Sequence, residues 1–238
     1  MSSFEVIVAV ASVVAGAIAS LAGFGIGSIM TPLLMLHLDA KVAVAAVSIP
    51  HIVATAIRFW MLRASLDRNV LLRFGLTSAA GGLLGALLHT VIGVKTLTIF
   101  LGVVLILTGA VGVLGLNLRF GRHAAPVAGL FSGLLGGLVG NQGGIRSGAM
   151  LGFDLSKEAF IATSTAIGLV VDGARMPVYL WSEGAKLMSV RTMIVIMTAG
   201  VVIGTFLGRI LLGRIPEPLF KRLVSGLVLL LGIALLVF

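Results

Sequence analysis

Six apolar segments of the chain are each long enough to cross a lipid bilayer, which takes about 20 helical residues. We expect membrane-spanning helices at 42–62, 70–92, 96–116, 159–181, 190–212 and 217–238. Of the 238 residues, 59% are hydrophobic and only 11% are charged, whereas a soluble domain has about 25% charged residues. The sequence therefore predicts an integral membrane protein, which excludes a cytosolic enzyme, a secreted module and a coiled coil.

The charge balance and the cysteine count exclude several other functions. The formal net charge is +9, but the basic residues lie mostly between the apolar segments and form no stripe interleaved with aromatic residues, so nucleic-acid binding is not expected. The chain has no cysteine, so we expect no disulfide, no thiolate nucleophile and no cysteine-bound metal. No set of His, Asp and Glu residues has metal-ligand spacing, and no cofactor is expected.

Two further apolar stretches, residues 4–38 and 124–153, are each broken near the middle by glycines. The first break has the sequence AGFGIG (22–27), and the second has the sequence GNQGG (140–144). Each stretch is too long for one straight helix, and its second arm is short for a full crossing. We interpret both as helical hairpins that are re-entrant or nearly so. Irregular backbone inside a membrane is tolerated only where protein or a watery cavity satisfies its polar groups.

The two hairpins begin the two halves of an internal repeat. Gly27 precedes its counterpart Gly144 by 117 residues (144 minus 27). The other matches, some of them at slightly larger spacings, pair Ile29 with Arg146, Ala45 with Ala162, Arg58 with Arg175, Gly81 with Gly200, Gly85 with Gly204 and Gly109 with Gly232. We expect a first repeat at 1–120 and a second at 121–238, each containing one hairpin and three helices, or about eight membrane segments in all.

Three full crossings per repeat is an odd number, so the second repeat must be inverted relative to the first. The basic residues other than Arg58, Arg146 and Arg175, which we interpret as intramembrane, support this topology, because cytoplasmic loops are enriched in Lys and Arg. Ten of these fourteen fall on the predicted cytoplasmic side, namely Arg63, Arg68, Arg73, Arg119, Arg122, Lys157, Arg209, Arg214, Lys221 and Arg222. Four fall outside, namely Lys41, Lys95, Lys186 and Arg191. We expect a multi-pass protein of the plasma (inner) membrane with both termini outside, cytoplasmic loops at 63–69, 117–123 and 209–222, and an outside loop at 182–187.

Inverted repeats with broken helices are typical of secondary transporters, whose substrate sites lie near the midplane at the repeat interface. Each glycine break precedes a short helix, and a helix N-terminus offers backbone N–H groups and a positive dipole end to an anion. We expect the breaks to meet there and to bind an anionic substrate through Gly25, Gly27, Ser28, Asn141, Gln142, Gly143, Gly144 and Arg146. The alternative is that these glycines only allow helices to cross closely.

Four charged residues lie within apolar sequence and are candidates for function. Arg146 lies one residue into its helical arm; a charge there needs a partner or a cavity, and its planar fork suits a sulfonate, carboxylate or phosphate group. Arg58 and Arg175 occupy equivalent repeat positions near helix ends, where they could serve gating or coupling, or could instead snorkel to the surface. Asp172, three residues before Arg175, could carry a proton or simply pair with that arginine.

Four uncharged polar residues are further candidates for gating or coupling. His51 follows Pro50 in a predicted span and could relay a proton or pack as a polar side chain. Three hydroxyl residues near equivalent repeat positions could donate hydrogen bonds to a substrate or to neighbouring helices, namely Ser48, Ser164 and Thr165.

The paired glycine motifs resemble those of the TauE/SafE sulfite exporter family, which includes the toluene sulfonate uptake permease group. The first motif is AGFGIG (22–27) leading to PLL (32–34), and the second is SGLLG (132–136) leading to GG (143–144). The resemblance covers essentially the whole chain and implies a duplicated membrane fold that transports sulfite, sulfonates, sulfoacetate or related organic anions. Ser28 and Ala149 depart from the family pattern, the latter standing in place of the second proline.

Residues and resemblance together predict a secondary transporter, either an exporter or a permease, for a small anion such as sulfite or a sulfonate. Alternating access would come from rocking of one repeat against the other. The chain has no P-loop to bind ATP, so a gradient of a coupling ion, proton or sodium, is the expected energy source. The alternatives are a passive anion channel and an intramembrane enzyme acting on a lipid phosphate. An oligomer is compatible with each of them.

Overall fold

The computed structural model of the protein describes residues 2–23, 25–116, 124–141, 143, 146, 150, 153, 155–211 and 217–237. These residues form helices and the turns between them, with no strand among them. The all-helical fold class predicted from the sequence is therefore confirmed.

The first half of the chain begins with a helical hairpin and continues with long helices. Its elements are α1 (Ser3–Ala22), α2 (Ile26–Leu34), α3 (Ala40–Leu62), a 3₁₀ turn (Arg63–Ser65), α4 (Arg68–Val70), a π-helical turn (Leu71–Gly75), α5 (Leu76–Val91) and α6 (Val94–Val113). The second half contains α7 (Ala125–Val139), α8 (Lys157–Ser189), α9 (Arg191–Leu211) and α10 (Glu217–Val237).

Six helical segments of the described chain are long and apolar enough to cross a membrane. Five of them correspond to predicted spans and include α3, α4 with α5, α6, α8 and α9. The sixth is α1, the first arm of the first hairpin, whose spanning segment Ser3–Leu21 has 19 residues. In the region of the last predicted span, the apolar helix Arg222–Val237 is shorter than these six. The multi-pass architecture is confirmed, and the first arm of the first hairpin is itself long enough to span.

The predicted loop at 182–187 is wrong, because α8 continues to Ser189. Two charged residues of this segment form an ion pair within the helix: Lys186 Nζ lies 3.0 Å from Glu183 Oε2, one turn earlier. Such pairs at i, i+3 stabilise a helix. A polar composition alone therefore did not mark the end of the span.

The α1–α2 segment returns on itself as predicted. Gly23 ends α1 in the left-handed conformation with φ of 76°, a geometry that glycine adopts without strain. At the other end of the hairpin, the rings of Phe4 and His37 stack with centroids 3.7 Å apart. The start of α1 and the turn after α2 therefore lie side by side.

Helix contacts divide the described residues into two compact units, each drawing helices from both halves of the sequence. One lies within Met1–Ala54, Ile92–Asn117 and Glu183–Phe238, and the other within Thr55–Val91 and Leu118–Ser182. In the first unit α1 packs on α9 and α6 packs on α10, whereas in the second α5 packs on α7.

The α1–α9 and α5–α7 contacts follow the same pattern, each made by glycines that bring two backbones together. A methyl group added at Gly16 would overlap the carbonyl oxygen of Val201, and one added at Gly133 would overlap that of Ser78. Gly204 faces the carbonyl of Val13 as closely as Gly81 faces that of Leu130. The predicted repeat pairs α1 with α7 and Gly16 with Gly133. The α1–α9 contact is therefore the counterpart of the α5–α7 contact.

The same contacts correct one detail of the sequence repeat. Gly81 matches Gly204 in its packing, whereas the sequence paired it with Gly200, one helical turn earlier. The error has a simple cause. Gly200, Gly204 and Gly208 recur every four residues, so a shift of one turn again places glycine on glycine.

The contact between α6 and α10 is reciprocal. A methyl group at Gly109 would lie 2.6 Å from the Leu229 nitrogen, and one at Gly232 would lie 2.9 Å from the Ile106 nitrogen. Gly109 and Gly232 correspond in the repeat, and Ile106 and Leu229 correspond at the same spacing. Each helix thus presents the same patch to the other, as at an interface with twofold symmetry.

Candidate functional site

The first glycine break lies in the unit that contains α1 and α2. Gly25 has φ of 130° and precedes Ile26, the first residue of α2. Gly25, Gly27 and Ser28 are all buried. The first turn of any helix leaves backbone N–H groups without intrahelical partners, so α2 directs its donors toward this break. Two of the three glycines in the break therefore adopt the conformations that a tight turn requires.

The second break follows α7 and repeats the first at its start. Gly140 ends α7 with φ of 74°, and its N–H donates to the carbonyl of Gly136, as the N–H of Gly23 does to that of Ala19 in α1. Asn141 and Gly143 are buried. Gln142 and Gly144, which the sequence also placed in the substrate site, lie outside the described residues.

Three side chains bind the last carbonyls of α7 at this break. Arg175 donates to the Gly136 oxygen and Tyr179 donates to the Gly137 oxygen. His89 Nδ1 lies 2.7 Å from the Leu138 oxygen, and since a carbonyl only accepts, Nδ1 carries the proton. The final carbonyls of a helix have no intrahelical donors and carry the negative end of the dipole. These side chains donate hydrogen bonds to the C-terminal carbonyls of α7, and the positive charge of Arg175 complements the negative end of the helix dipole.

Arg175 also forms an ion pair within α8. Its Nη2 lies 2.7 Å from Asp172 Oδ1, and its Nε donates to the same oxygen at 3.0 Å. The exposed fractions of the two side chains are 2% and 0%. The pairing expected from their spacing is confirmed, and the burial of Arg175 is incompatible with snorkelling. Its contacts assign it a positioning role at the end of α7.

Arg58 is equally buried but has no carboxylate at the corresponding place. Its Nη2 donates to Thr55 Oγ1 at 3.0 Å, one turn earlier in α3, and its exposed fraction is 2%. Thr55 is the repeat counterpart of Asp172, at the spacing that relates Arg58 to Arg175. Within the described part of the chain, the arginine is thus paired with a carboxylate in α8 and donates to a hydroxyl in α3.

Arg146 is 2% exposed, as its apolar sequence context predicted. Its Nε and Nη1 find no hydrogen-bond partner among the described residues. A methyl group added at Gly168 of α8 would lie 3.2 Å from Arg146 Nη1 and 3.5 Å from Thr55 Cγ2. The absence of a side chain at Gly168 therefore leaves room for the guanidinium beside Thr55.

Two of the four remaining candidates bond within their own helices. Ser48 Oγ donates to the Val44 carbonyl at 2.8 Å, and Thr165 Oγ1 donates to the Ile161 carbonyl at 2.6 Å, each one turn back in its own helix. Ser164 and His51 are buried. Hydroxyls that bond their own helix have one donor fewer for a substrate, so Ser48 and Thr165 are weaker candidates than the arginines.

Sequence reasoning did not select Thr55, Gly168, His89 or Tyr179. Tyr179 is the one tyrosine in the chain, and a buried tyrosine hydroxyl in apolar sequence needs a polar partner, which was a usable signal. Thr55 could have been found as the repeat counterpart of Asp172. The role of Gly168 depends on a contact across helices, which sequence spacing does not reveal.

Comparison with known proteins gives one match. Neither a curated protein nor a solved structure matches the chain. A protein-family model described as sulfite exporter TauE/SafE matches residues 8–235, nearly the whole chain. The buried arginines, the paired glycine breaks and the apolar spans therefore belong to a member of the TauE/SafE sulfite exporter family of membrane transporters.

Proposed function

We propose that the protein is a secondary transporter for a small anion, either sulfite, a sulfonate or a related organic anion, and that the anion binds at the second glycine break. The observation that carries this proposal is the buried guanidinium of Arg146, whose Nε and Nη1 have no hydrogen-bond partner in the described part of the chain. A buried cation without such bonds is unfavourable, and an anionic substrate would supply them.

The chemistry of the break suits an oxyanion. Arg146 offers a planar fork that matches two oxygens of a sulfonate or sulfite group. Asn141, which is buried beside the left-handed turn at Gly140, can add amide donors, and Gly143 allows close approach to the backbone. The first break offers backbone N–H donors of the same kind at Gly25, Gly27 and Ser28.

Alternating access would follow from inverted repeats. The α6–α10 contact supports the inversion. Gly102 faces Leu236 near one end of the contact, and Gly112 faces Ser225 near the other, so the two helices run antiparallel while presenting the same patch. A twofold axis relating antiparallel helices is perpendicular to them, which for membrane-spanning helices places it in the membrane plane.

Transport by purified protein in liposomes tests this function. Liposomes loaded with unlabelled sulfite should accumulate ³⁵S-sulfite from outside by exchange, with saturable kinetics. Arg146→Gln should lose this exchange, and Arg63→Gln should keep it, because Arg63 is exposed and donates to the Trp60 carbonyl. Imposed proton or sodium gradients would identify the coupling ion by driving net flux.

The outcome separates the proposed carrier from its rivals. Non-saturable anion conductance would indicate a channel. Phosphate release from lipid phosphates without flux would indicate an enzyme. Full exchange by folded Arg146→Gln would contradict the proposed site, since the guanidinium would then have a structural role only.

A further inference from the structure

Three arginines and one carboxylate are buried together in the unit that contains α5, α7 and α8. Arg58, Arg146 and Arg175 are each 2% exposed and Asp172 is fully buried. The carboxylate of Asp172 pairs with Arg175. Arginine stays protonated in proteins. The described part of this cluster therefore carries an excess of two positive charges.

The hydrogen bonds locate that excess on two of the three arginines. Arg175 donates to Asp172 and to the Gly136 carbonyl. By contrast, Arg58 and Arg146 each have an Nε and an Nη1 that are buried without a hydrogen-bond partner in the described ranges. Four N–H-bearing nitrogens are thus available on two buried guanidinium groups.

Both guanidinium groups lie near Thr55. Thr55 links them, because its Oγ1 accepts from Arg58 Nη2 at 3.0 Å and its Cγ2 borders the space at Gly168 that Arg146 Nη1 also borders. Two like charges buried around one threonine in a low-dielectric interior favour a shared counter-charge.

We propose that Arg58 and Arg146 together bind a doubly charged oxyanion, so that the transporter selects dianions over monoanions of the same shape. This inference rests on the proposed anion-transport function and assigns its substrate class by charge. Fully deprotonated sulfite carries two charges on three oxygens and would neutralise the excess. A sulfonate carries one charge and would leave one guanidinium uncompensated.

Binding measurements on the purified protein test the charge selectivity. At an alkaline pH where sulfite is doubly charged and arginine remains protonated, sulfite and sulfate serve as dianion probes. Methanesulfonate is a monoanion with the same SO₃ group. We expect at least one dianion to bind wild-type protein roughly tenfold more tightly than methanesulfonate, or better.

Variants of Arg58 separate charge from shape. In Arg58→Gln the dianion-to-monoanion affinity ratio should fall toward one, and in Arg58→Lys most of the ratio should remain. Arg63→Gln, which removes an exposed positive charge five residues away, should leave the ratio unchanged. The ratio is measured within one sample, so a partly unfolded variant still reports it.

The possible results distinguish this inference from the proposed function. Equal binding of dianions and methanesulfonate, with a ratio unaffected by Arg58→Gln, would overturn dianion selectivity and leave the anion site at Arg146 in place. Failure of folded wild-type protein to bind any of the three anions would overturn the anion site itself, and the selectivity inference with it.

Discussion

Arg175 and Asp172 are joined by an ion pair of 2.7 Å in α8, whereas at the repeat-related position in α3 Arg58 faces the hydroxyl of Thr55. The two helices paired by the predicted repeat thus share an arginine, and only α8 has a carboxylate one turn before it. We propose that this difference leaves Arg58 available to a ligand, whereas Arg175 is held by contacts within the protein.

Removing the Asp172 charge should destabilise the protein. Asp172→Asn keeps the shape of the side chain but leaves Arg175 buried without its counter-charge, and breaking a buried pair in this way costs about 3–5 kcal/mol. Unfolding of the purified protein in detergent measures the loss. The double variant Asp172→Asn/Arg175→Gln removes both charges and should recover part of it. A single variant as stable as the wild type would show that the pair does not hold α8.

The glycine contact between α5 and α7 should tolerate no side chain. In Gly81→Ala the new methyl group overlaps the Leu130 carbonyl oxygen, which is backbone and can move only with its helix. Overpacking of this kind costs about 1–3 kcal/mol. Gly226→Ala is the matched control, because a methyl group at Gly226 meets nothing within 4 Å. Equal thermal midpoints for the two variants would refute close backbone packing at Gly81.

The topology can be read by cysteine labelling in this cysteine-free chain. We expect Ser189→Cys to react with an impermeant maleimide added to intact cells, and Ala64→Cys to react only after the cells are opened. Both positions are exposed at helix ends. The pairing of Asp39 with Lys186, at 3.7 Å, puts two segments predicted to be outside at the same end of their unit. If Ala64→Cys were labelled in intact cells and Ser189→Cys were not, the protein would have the opposite orientation to the predicted one.

The sequence predicted the spans and both glycine breaks because length, apolarity and glycine clusters are local signals. It also placed Arg146 in the interior, because the sequence around it is apolar. It could not distinguish Arg58 from Arg175, because the two occupy equivalent positions. The two arginines differ partly in contacts between residues far apart in the sequence, such as that of Arg175 with the Gly136 carbonyl. They differ also because residue 55, one turn before Arg58, is a threonine and not an aspartate.

The space beside Arg146 should be sensitive to the size of residue 168. In Gly168→Val the side chain would enter the region where a methyl group already lies 3.2 Å from Arg146 Nη1, so the guanidinium must move and anion affinity should fall roughly tenfold or more. Gly173→Val, on the exposed side of the same helix with nothing within 4 Å, controls for the loss of a helical glycine. Unchanged sulfite affinity in Gly168→Val would place the anion elsewhere.

A carboxylate introduced at residue 55 should reproduce in α3 the pair that exists in α8. Thr55→Asp would place the acid one turn before Arg58, as Asp172 stands before Arg175, and so would occupy the guanidinium from within the protein. We expect sulfite affinity to fall by roughly tenfold or more, while stability is retained because the new charge is paired. Thr55→Asn has nearly the same shape without the charge and should bind sulfite far better than Thr55→Asp. Calorimetry with sulfite, together with the thermal midpoint of each variant, measures both effects. If Thr55→Asp folds and binds sulfite as the wild type does, the unneutralised charge of Arg58 takes no part in holding the anion.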